Sequence, residues 1–290
     1  LPDAAAASTP GTAVLLVGVL DKVGTFGMIK LCLPIFPAAS EFYAPVIIVL
    51  CVIGIIYGAL LAIGQTDLKR LIAYTSVSHF GFIGLGIFVM TTQGQSGSTF
   101  YMLNHGFSTG ALFLIAGFLM TRRGSRLIAD YGGVYRVAPV LAGLFLIAGL
   151  SSLSLPGLSS FVSEFLVLVG SFEKYTVAAV IATLGIILAA LYILLMYQRT
   201  MTGPVKDGCE KMTDVKGREA LAIIPMLVLL VALGVYPKPV LDVVNPAVDR
   251  IMHQTGQTDP PPAVKPVAEG AGTAQQKAQE VVGSVEGGAR

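Results

Sequence analysis

Seven long apolar stretches alternate with short polar segments along the chain, at about residues 11–33, 43–64, 70–90, 98–120, 138–172, 174–200 and 219–241. A helix needs about 20 apolar residues to cross the hydrocarbon core of a bilayer, so each stretch predicts a transmembrane helix. The fifth is too long for one straight helix and carries Ser154-Leu155-Pro156-Gly157 in its middle. Proline removes a backbone donor there and glycine adds freedom, so a break is expected around Pro156-Gly157. Broken helices at membrane depth are tolerated where they face protein or a wet cavity, and they often mark ion paths. The fold class that follows is all-α: a polytopic membrane helix bundle with about seven transmembrane helices, one of them broken.

The apolar pattern lapses from about residue 246. Asp259-Pro260-Pro261-Pro262 and the Ala/Gly/Gln-rich run to Arg290 cannot bury a core. The expected organisation is a transmembrane domain over 1–245 and a disordered C-terminal tail over 246–290. The chain opens on Leu1-Pro2-Asp3-Ala4 with no signal peptide ahead of the first span, which reads as the interior of a longer protein.

Composition sharpens this picture. The chain is 54% hydrophobic and only 12% charged, where a soluble domain is about 25% charged. A lipid bilayer is the expected solvent. Net charge is +2, with no basic patch and no Gly-rich phosphate loop, so nucleic acid is not an expected partner. Cys32, Cys51 and Cys209 have neither metal-ligand nor redox spacing. No metal or cofactor is therefore expected in this chain, and any electron transfer runs elsewhere.

The loop charges predict an orientation. Lys69 and Arg70 follow the second span, Arg122, Arg123, Arg126 and Arg136 the fourth, and Arg199, Lys206, Lys211, Lys216 and Arg218 the sixth. The alternate loops hold almost no Lys or Arg, Lys174 excepted. The rule that cationic loops stay inside then starts residues 1–10 in the cytoplasm and brings the C-terminal tail out on the opposite side.

Four ionisable residues fall at membrane depth, where a charge costs roughly 2.5–3.5 kcal/mol on insertion scales and marks an ion pathway by default. Lys22 lies midway along the first span, with Gly18 one turn before it to admit another backbone. Desolvation weakens a lysine's hold on its proton, which suits it to donate and accept. Asp21 is adjacent, but helical neighbours lie about 100° apart, so it is expected to tune the field rather than face Lys22. His79 shares its face with Thr75 and Ser76. His105 shares its own with Tyr101, Ser108 and Thr109. Two such polar stripes on successive helices can form a wet seam, and histidine titrates near neutral pH. Glu164 follows the break, with Ser160 one turn earlier and Ser151, Ser152 and Ser154 across it. The blander alternatives are snorkelling for Lys22, helix–helix hydrogen bonding for the histidines, and a static salt bridge to Lys22 for Glu164. Lys30, near the span end, reads as a snorkelling anchor. Together, Lys22, His79, His105 and Glu164 are the components of a proton wire, supported by Asp21, Thr75, Ser160 and Pro156.

Several stretches carry a resemblance: Leu1-Pro2-Asp3-Ala4, Lys22-Val23-Gly24-Thr25-Phe26-Gly27, the whole of Gln65 to His79, Asn104-His105-Gly106, and Leu155-Pro156-Gly157 through Glu164. Over about residues 1–245 the chain resembles the proton-pumping, antiporter-like membrane subunits of respiratory complex I, NADH–quinone oxidoreductase. The acid at Glu164 is similar to the M-type branch, the counterpart of mitochondrial chain 4, where sister branches usually carry lysine. The resemblance implies half of a fourteen-helix antiporter-like fold, helices 8 to 14. It implies that Lys22 is the central lysine of helix 8, His79 and His105 the connecting histidines of helices 10 and 11, and Glu164 the terminal proton-exchanging carboxylate of broken helix 12. Flavin, iron–sulfur clusters and quinone would lie in other subunits, and the partners would be neighbouring antiporter-like subunits in a bacterial cytoplasmic membrane. Two positions depart from the pattern: Ala5 stands where histidine is usual, and Asp21 where an apolar residue is usual. The first broken helix of the family and its partner glutamate have no counterpart in this sequence. The alternative functions are a subunit of a multi-subunit Na⁺/H⁺ antiporter or membrane-bound hydrogenase, and a structural spacer whose polar residues only join helices.

Overall fold

A computed structural model describes residues 1–261. Its elements are α1 (Pro2–Ala7), α2 (Pro10–Ile35), α3 (Pro37–Ile63), α4 (Leu68–Phe88), α5 (Thr92–Arg123), α6 (Pro139–Ser152), α7 (Ser159–Lys174), α8 (Thr176–Met201), α9 (Gly217–Val235) and α10 (Lys238–Thr255). Two single 3₁₀ turns, Ile128–Asp130 and Val134–Arg136, lie between α5 and α6. Six helices, α2, α3, α4, α5, α8 and α9, are long and apolar enough to cross a membrane. The remaining expected span is the pair α6 and α7, each too short alone, so the crossing is shared across a break.

The break runs from Leu153 to Leu158. Ser154 sits at φ 60° and Gly157 at φ 95°, so the chain reverses through the left-handed region twice within four residues. Glycine adopts that region freely, whereas Ser154 carries backbone strain there. The turn is closed by Ser154 N–H donating to the Ser151 carbonyl at 3.1 Å and Leu155 N–H to the Leu150 carbonyl at 3.0 Å. Pro156, which has no N–H to place, follows directly after them.

α4 is the most buried span, while α2 and α9 expose most of their surface. α4 packs on α3 and α5, and α5 in turn packs on α7. Small residues set these distances. A Cβ on Gly81 of α4 would stand 2.6 Å from the Cys51 carbonyl oxygen of α3, and one on Gly97 of α5 would stand 2.7 Å from the Val167 amide nitrogen of α7. α2 meets α5 where Gly106 faces Gly18, and a Cβ on Gly106 would lie 2.9 Å from the Gly18 carbonyl oxygen. The close approach expected at Gly18 is therefore present, and its partner is the helix that carries His105.

One end of the bundle gathers the cationic loops. Asp67 caps α4, its Oδ1 accepting from the Lys69 and Arg70 amides at 2.9 and 3.1 Å, and its Oδ2 pairs with Arg126 at 2.9 Å. Lys69 is buried and donates to the Ala6 carbonyl at 3.0 Å and to that of Ser8. Arg122 grips Glu219 through two hydrogen bonds of 2.9 and 2.6 Å, tying the end of α5 to the start of α9. Asp214 receives the first amides of α6, Val140 and Leu141, both at 2.9 Å.

The expected disordered tail over 246–290 needs correction at its start. The chain stays helical through Thr255 in α10, whose Val248, Ile251 and Met252 are buried. Apolar residues at Leu241, Val244, Val248, Ile251 and Met252 repeat at helical spacing, a short amphipathic pattern hidden by the polar composition around it. Pro246 lies inside the helix and does not end it. Residues 262–290 lie outside the described residues.

Two outcomes follow. Gly97→Ala should force α5 and α7 apart and cost about 1–3 kcal/mol, while Gly143→Ala, with open space around it, should be silent; thermal unfolding in detergent compares them. Burial raises the Asp214 pKa, but the N–H donors of Val140, Leu141 and Val215, with Arg122, outweigh it and leave the carboxyl below its usual range. A depressed folded-state value adds stability above the unfolded value and loses it as pH falls through the folded one. Asp214→Ala should therefore lower the melting temperature at neutral pH and lessen its fall on acidification below the usual carboxylate range.

Candidate functional site

α2 does not present Lys22 from a regular helix. π-Helical turns at Leu16–Leu20 and Met28–Cys32 flank the α-helical stretch Asp21–Gly27 that carries it. Lys22 Nζ reaches back to the Val17 carbonyl inside the first of these turns. It also lies 2.6 Å from His105 Nδ1 and 3.0 Å from Asp21 Oδ1. The expectation that Asp21 would not face Lys22 is thus corrected. Adjacent side chains on a regular helix diverge, but the lysine stem is long enough to fold back toward a turn already widened by one residue, and its ammonium arrives beside the Asp21 carboxylate.

His105 is fully buried on α5, and its second ring nitrogen, Nε2, lies 3.1 Å from Ser76 Oγ on α4. An ammonium at Lys22 donates to Nδ1, which requires the imidazole proton on Nε2, where it donates to Ser76. A proton entering at Nδ1 can then leave at Nε2. His79, on α4, packs edge to face against His105 with ring centroids 5.2 Å apart. Its Nε2 meets the hydroxyl of Tyr192 from α8 at 3.4 Å. Phe80 borders the pair, 5.4 Å from His105 and 5.2 Å from the Lys22 ammonium, which sits over its face.

Glu164 stands on α7 just past the break and is 3% exposed. Tyr101 and Tyr192 both lie within its electrostatic reach. Asn104, next to His105, fastens α5 to the start of α7 by donating to the Ser159 carbonyl at 2.9 Å and to Ser163 Oγ at 3.2 Å. Ser160 joins Ser151 across the break at 3.2 Å. Around them, Tyr101 Oη, Asn104 Oδ1, Ser152 Oγ, Ser154 Oγ, Ser159 Oγ and His79 Nδ1 are buried and find no partner among the described residues. Buried polar atoms are normally paired with protein or ordered water. This cluster occupies the region between the histidines and Glu164.

The structure therefore joins Lys22 to His105 directly and places His79 against His105, with Tyr192 and Tyr101 between His79 and the acid. No ion pair involving Glu164 is formed among the described residues; the ion-pair partner of Lys22 is Asp21. Thr75 does not join the group, because its hydroxyl bonds the Ile72 carbonyl of its own helix at 2.8 Å. Tyr192 was not singled out in the sequence, since it lies in an apolar span with only Leu188, Ala189, Leu195 and Met196 one turn away on its face. Its burial beside His79 is a product of packing alone.

A membrane bundle with a broken helix and a buried line of lysine, histidines and carboxylate has the architecture of an antiporter-like membrane protein. The chain belongs to the NADH:quinone oxidoreductase/Mrp antiporter transmembrane family, whose model matches residues 1–190. It is 61% identical over 264 residues to NADH-quinone oxidoreductase subunit M of Mycobacterium tuberculosis, covering 91% of this chain and 48% of that protein. It thus spans about half the length of the curated relatives it matches. Among solved structures, a chain of respiratory complex I from Thermus thermophilus is 33% identical with a TM-score of 0.76, covering 81% of this chain and 50% of that one. A chain of the Mrp complex from Dietzia superposes with a TM-score of 0.77 over 88% of this chain and 57% of that one, at 21% identity, a likeness of fold alone.

Asn104→Leu should remove the donor that ties α5 to the Ser159 carbonyl and Ser163 Oγ, and cost about 1–3 kcal/mol. A melting temperature equal to that of the parent protein would show that this bond does not hold the break in place.

Proposed function

We propose that this chain forms part of the proton path in a membrane-arm subunit of NADH–quinone oxidoreductase. The observation that carries the reading is the direct Lys22–His105 contact at 2.6 Å, continued to Ser76 and, through the packed rings, to His79. Lysine, imidazole and carboxylate each exchange protons without redox change, and histidine passes a proton between its two nitrogens. Lys22, His105 and His79 relay, Glu164 exchanges protons at the far end of the line, and Asp21 sets the charge state of Lys22 by pairing with it. Ser160 and Pro156 shape the break beside Glu164.

Quinone reduction in other subunits drives the protonation changes. Flavin, iron–sulfur clusters and quinone belong to those subunits, in keeping with three cysteines that lack ligand spacing. Neighbouring antiporter-like subunits are the partners, within a bacterial cytoplasmic membrane. The end that gathers Lys69, Arg70, Arg122, Arg126 and Lys206 faces the cytoplasm by the charge rule, and α10 with the residues beyond it faces outside. The strong likeness to a subunit M, against a fold-level likeness to an Mrp chain, favours complex I over a Na⁺/H⁺ antiporter.

Proton pumping in inverted membrane vesicles, with Glu164→Gln in the full-length subunit, tests this reading. The expected outcome is an assembled complex that still oxidises NADH while protons pumped per NADH fall several-fold. Unchanged pumping and turnover would sink the role of Glu164 and leave a structural spacer.

A further inference from the structure

Gln95 is a polar side chain isolated within the bundle. It is the fourth residue of α5, fully buried, and neither its Nε2 nor its Oε1 finds a partner among the described residues. An amide can make four hydrogen bonds, and a protein rarely buries one with none. Ordered water is the usual partner of such a group.

Its position on α5 says where that water leads. Gln95, Thr99, Met102 and Gly106 share one helical face by their spacing of four, three and four residues. That face looks onto α2, because Met102 Sδ lies 2.8 Å from Thr25 Oγ1 and Gly106 packs on Gly18. Thr25 is one turn beyond Lys22 and donates to the Lys22 carbonyl at 2.9 Å. Ten residues separate Gln95 from His105, a rise of about 15 Å. Thr25, level with Met102, and Thr99 divide that rise into steps of about 4.5–6 Å, which one water with two hydrogen bonds spans. At the outer end, α10 packs on α5, and Asp259 accepts from the Thr92 amide at 2.7 Å, one turn from Gln95.

We propose that Gln95 is a water-positioning residue at the outer terminus of a second hydrogen-bonded branch, which runs from Lys22 and His105 past Thr25 and Thr99 to Asp259 under α10. This branch follows the α2–α5 seam and does not pass through Glu164. It rests on the reading of Lys22 and His105 as proton carriers. Its role is to give the central pair its own connection to the side of the membrane opposite the cationic loops, with Met102 as the apolar constriction between the two hydroxyls.

The test uses the full-length subunit in its assembled complex, in inverted vesicles, with Gln95→Leu, Gln95→Glu and Lys22→Met compared. Gln95→Leu should keep NADH oxidation and lower protons pumped per NADH at least two-fold, while Gln95→Glu, which can still hold water, should restore the ratio. Infrared difference spectra in H₂¹⁸O should lose an isotope-sensitive buried-water band in Gln95→Leu, a change that a merely structural role would not produce. Thr25→Val is the second variant, on the opposite wall of the seam, and carries the same expectation should Gln95→Leu fail to assemble. A lowered ratio in Lys22→Met with a parental ratio and water band in Gln95→Leu and Thr25→Val would overturn the branch alone. A parental ratio in Lys22→Met would overturn the proton-carrying reading on which it rests.

Discussion

Nothing in the hydrocarbon core of a bilayer can hydrogen-bond a polar group, so every such group in this chain must be satisfied by the chain itself or by water held inside it. The architecture follows from that constraint. α4 and α5 carry most of the buried hydroxyl, amide and imidazole groups and are correspondingly the most enclosed helices. α2, α3, α8 and α9 surround them and expose leucine, isoleucine, valine and phenylalanine instead. Small residues at Gly81, Gly97 and Gly106 bring the backbones close enough for short side chains to reach across.

The broken helix answers the same constraint. Between α6 and α7 the backbone leaves the helical ladder at membrane depth, which lipid would not permit. Ser154, Ser159 and Ser160 are buried there against α5 and α9: a Cβ on Gly234 of α9 would stand 2.4 Å from the Gly157 carbonyl oxygen. The serines of the break are thus enclosed by protein, while Leu155, Pro156 and Gly157 at its tip are exposed. Its unpaired hydroxyls lie beside Glu164, a carboxylate almost fully enclosed within the spans.

Electrostatics separates the two regions of the molecule. At the loop end, charges pair with one another: Arg122 with Glu219 and Arg126 with Asp67, each with one largely buried partner, and Arg70 with Asp3 in the open. These contacts join loops that are distant in sequence, including the short bridge between Asp67 and Leu127. Exposed pairs such as Arg70–Asp3 contribute little each, but here they sit on backbone caps and carbonyls that also order the helix ends. Inside the bundle the lysine has one carboxylate partner and the rings of His105 and Phe80 as neighbours, an arrangement in which a proton can be moved without separating a network of ions.

Much of this was legible in the sequence. Seven apolar runs of membrane length, Pro156-Gly157 in the longest of them, and four ionisable residues at mid-span follow directly from hydropathy and from the cost of burying charge. Periodicity placed Ser76 beside His79, yet could not show that its hydroxyl turns to His105 on the next helix. Helical spacing argued that Asp21 points away from Lys22, and failed because a π-helical turn widens the backbone just before them. The same limit hid α10, whose apolar face is too short to outweigh its polar composition until α5 is present to cover it. The sequence by itself determined which residues must be inside and which must lie in lipid, because that choice depends only on transfer free energies. Which buried groups touch, Lys22 with His105, His79 with Tyr192 and Asn104 with the break, was decided only by how closely the helices pack and by where they depart from regular winding.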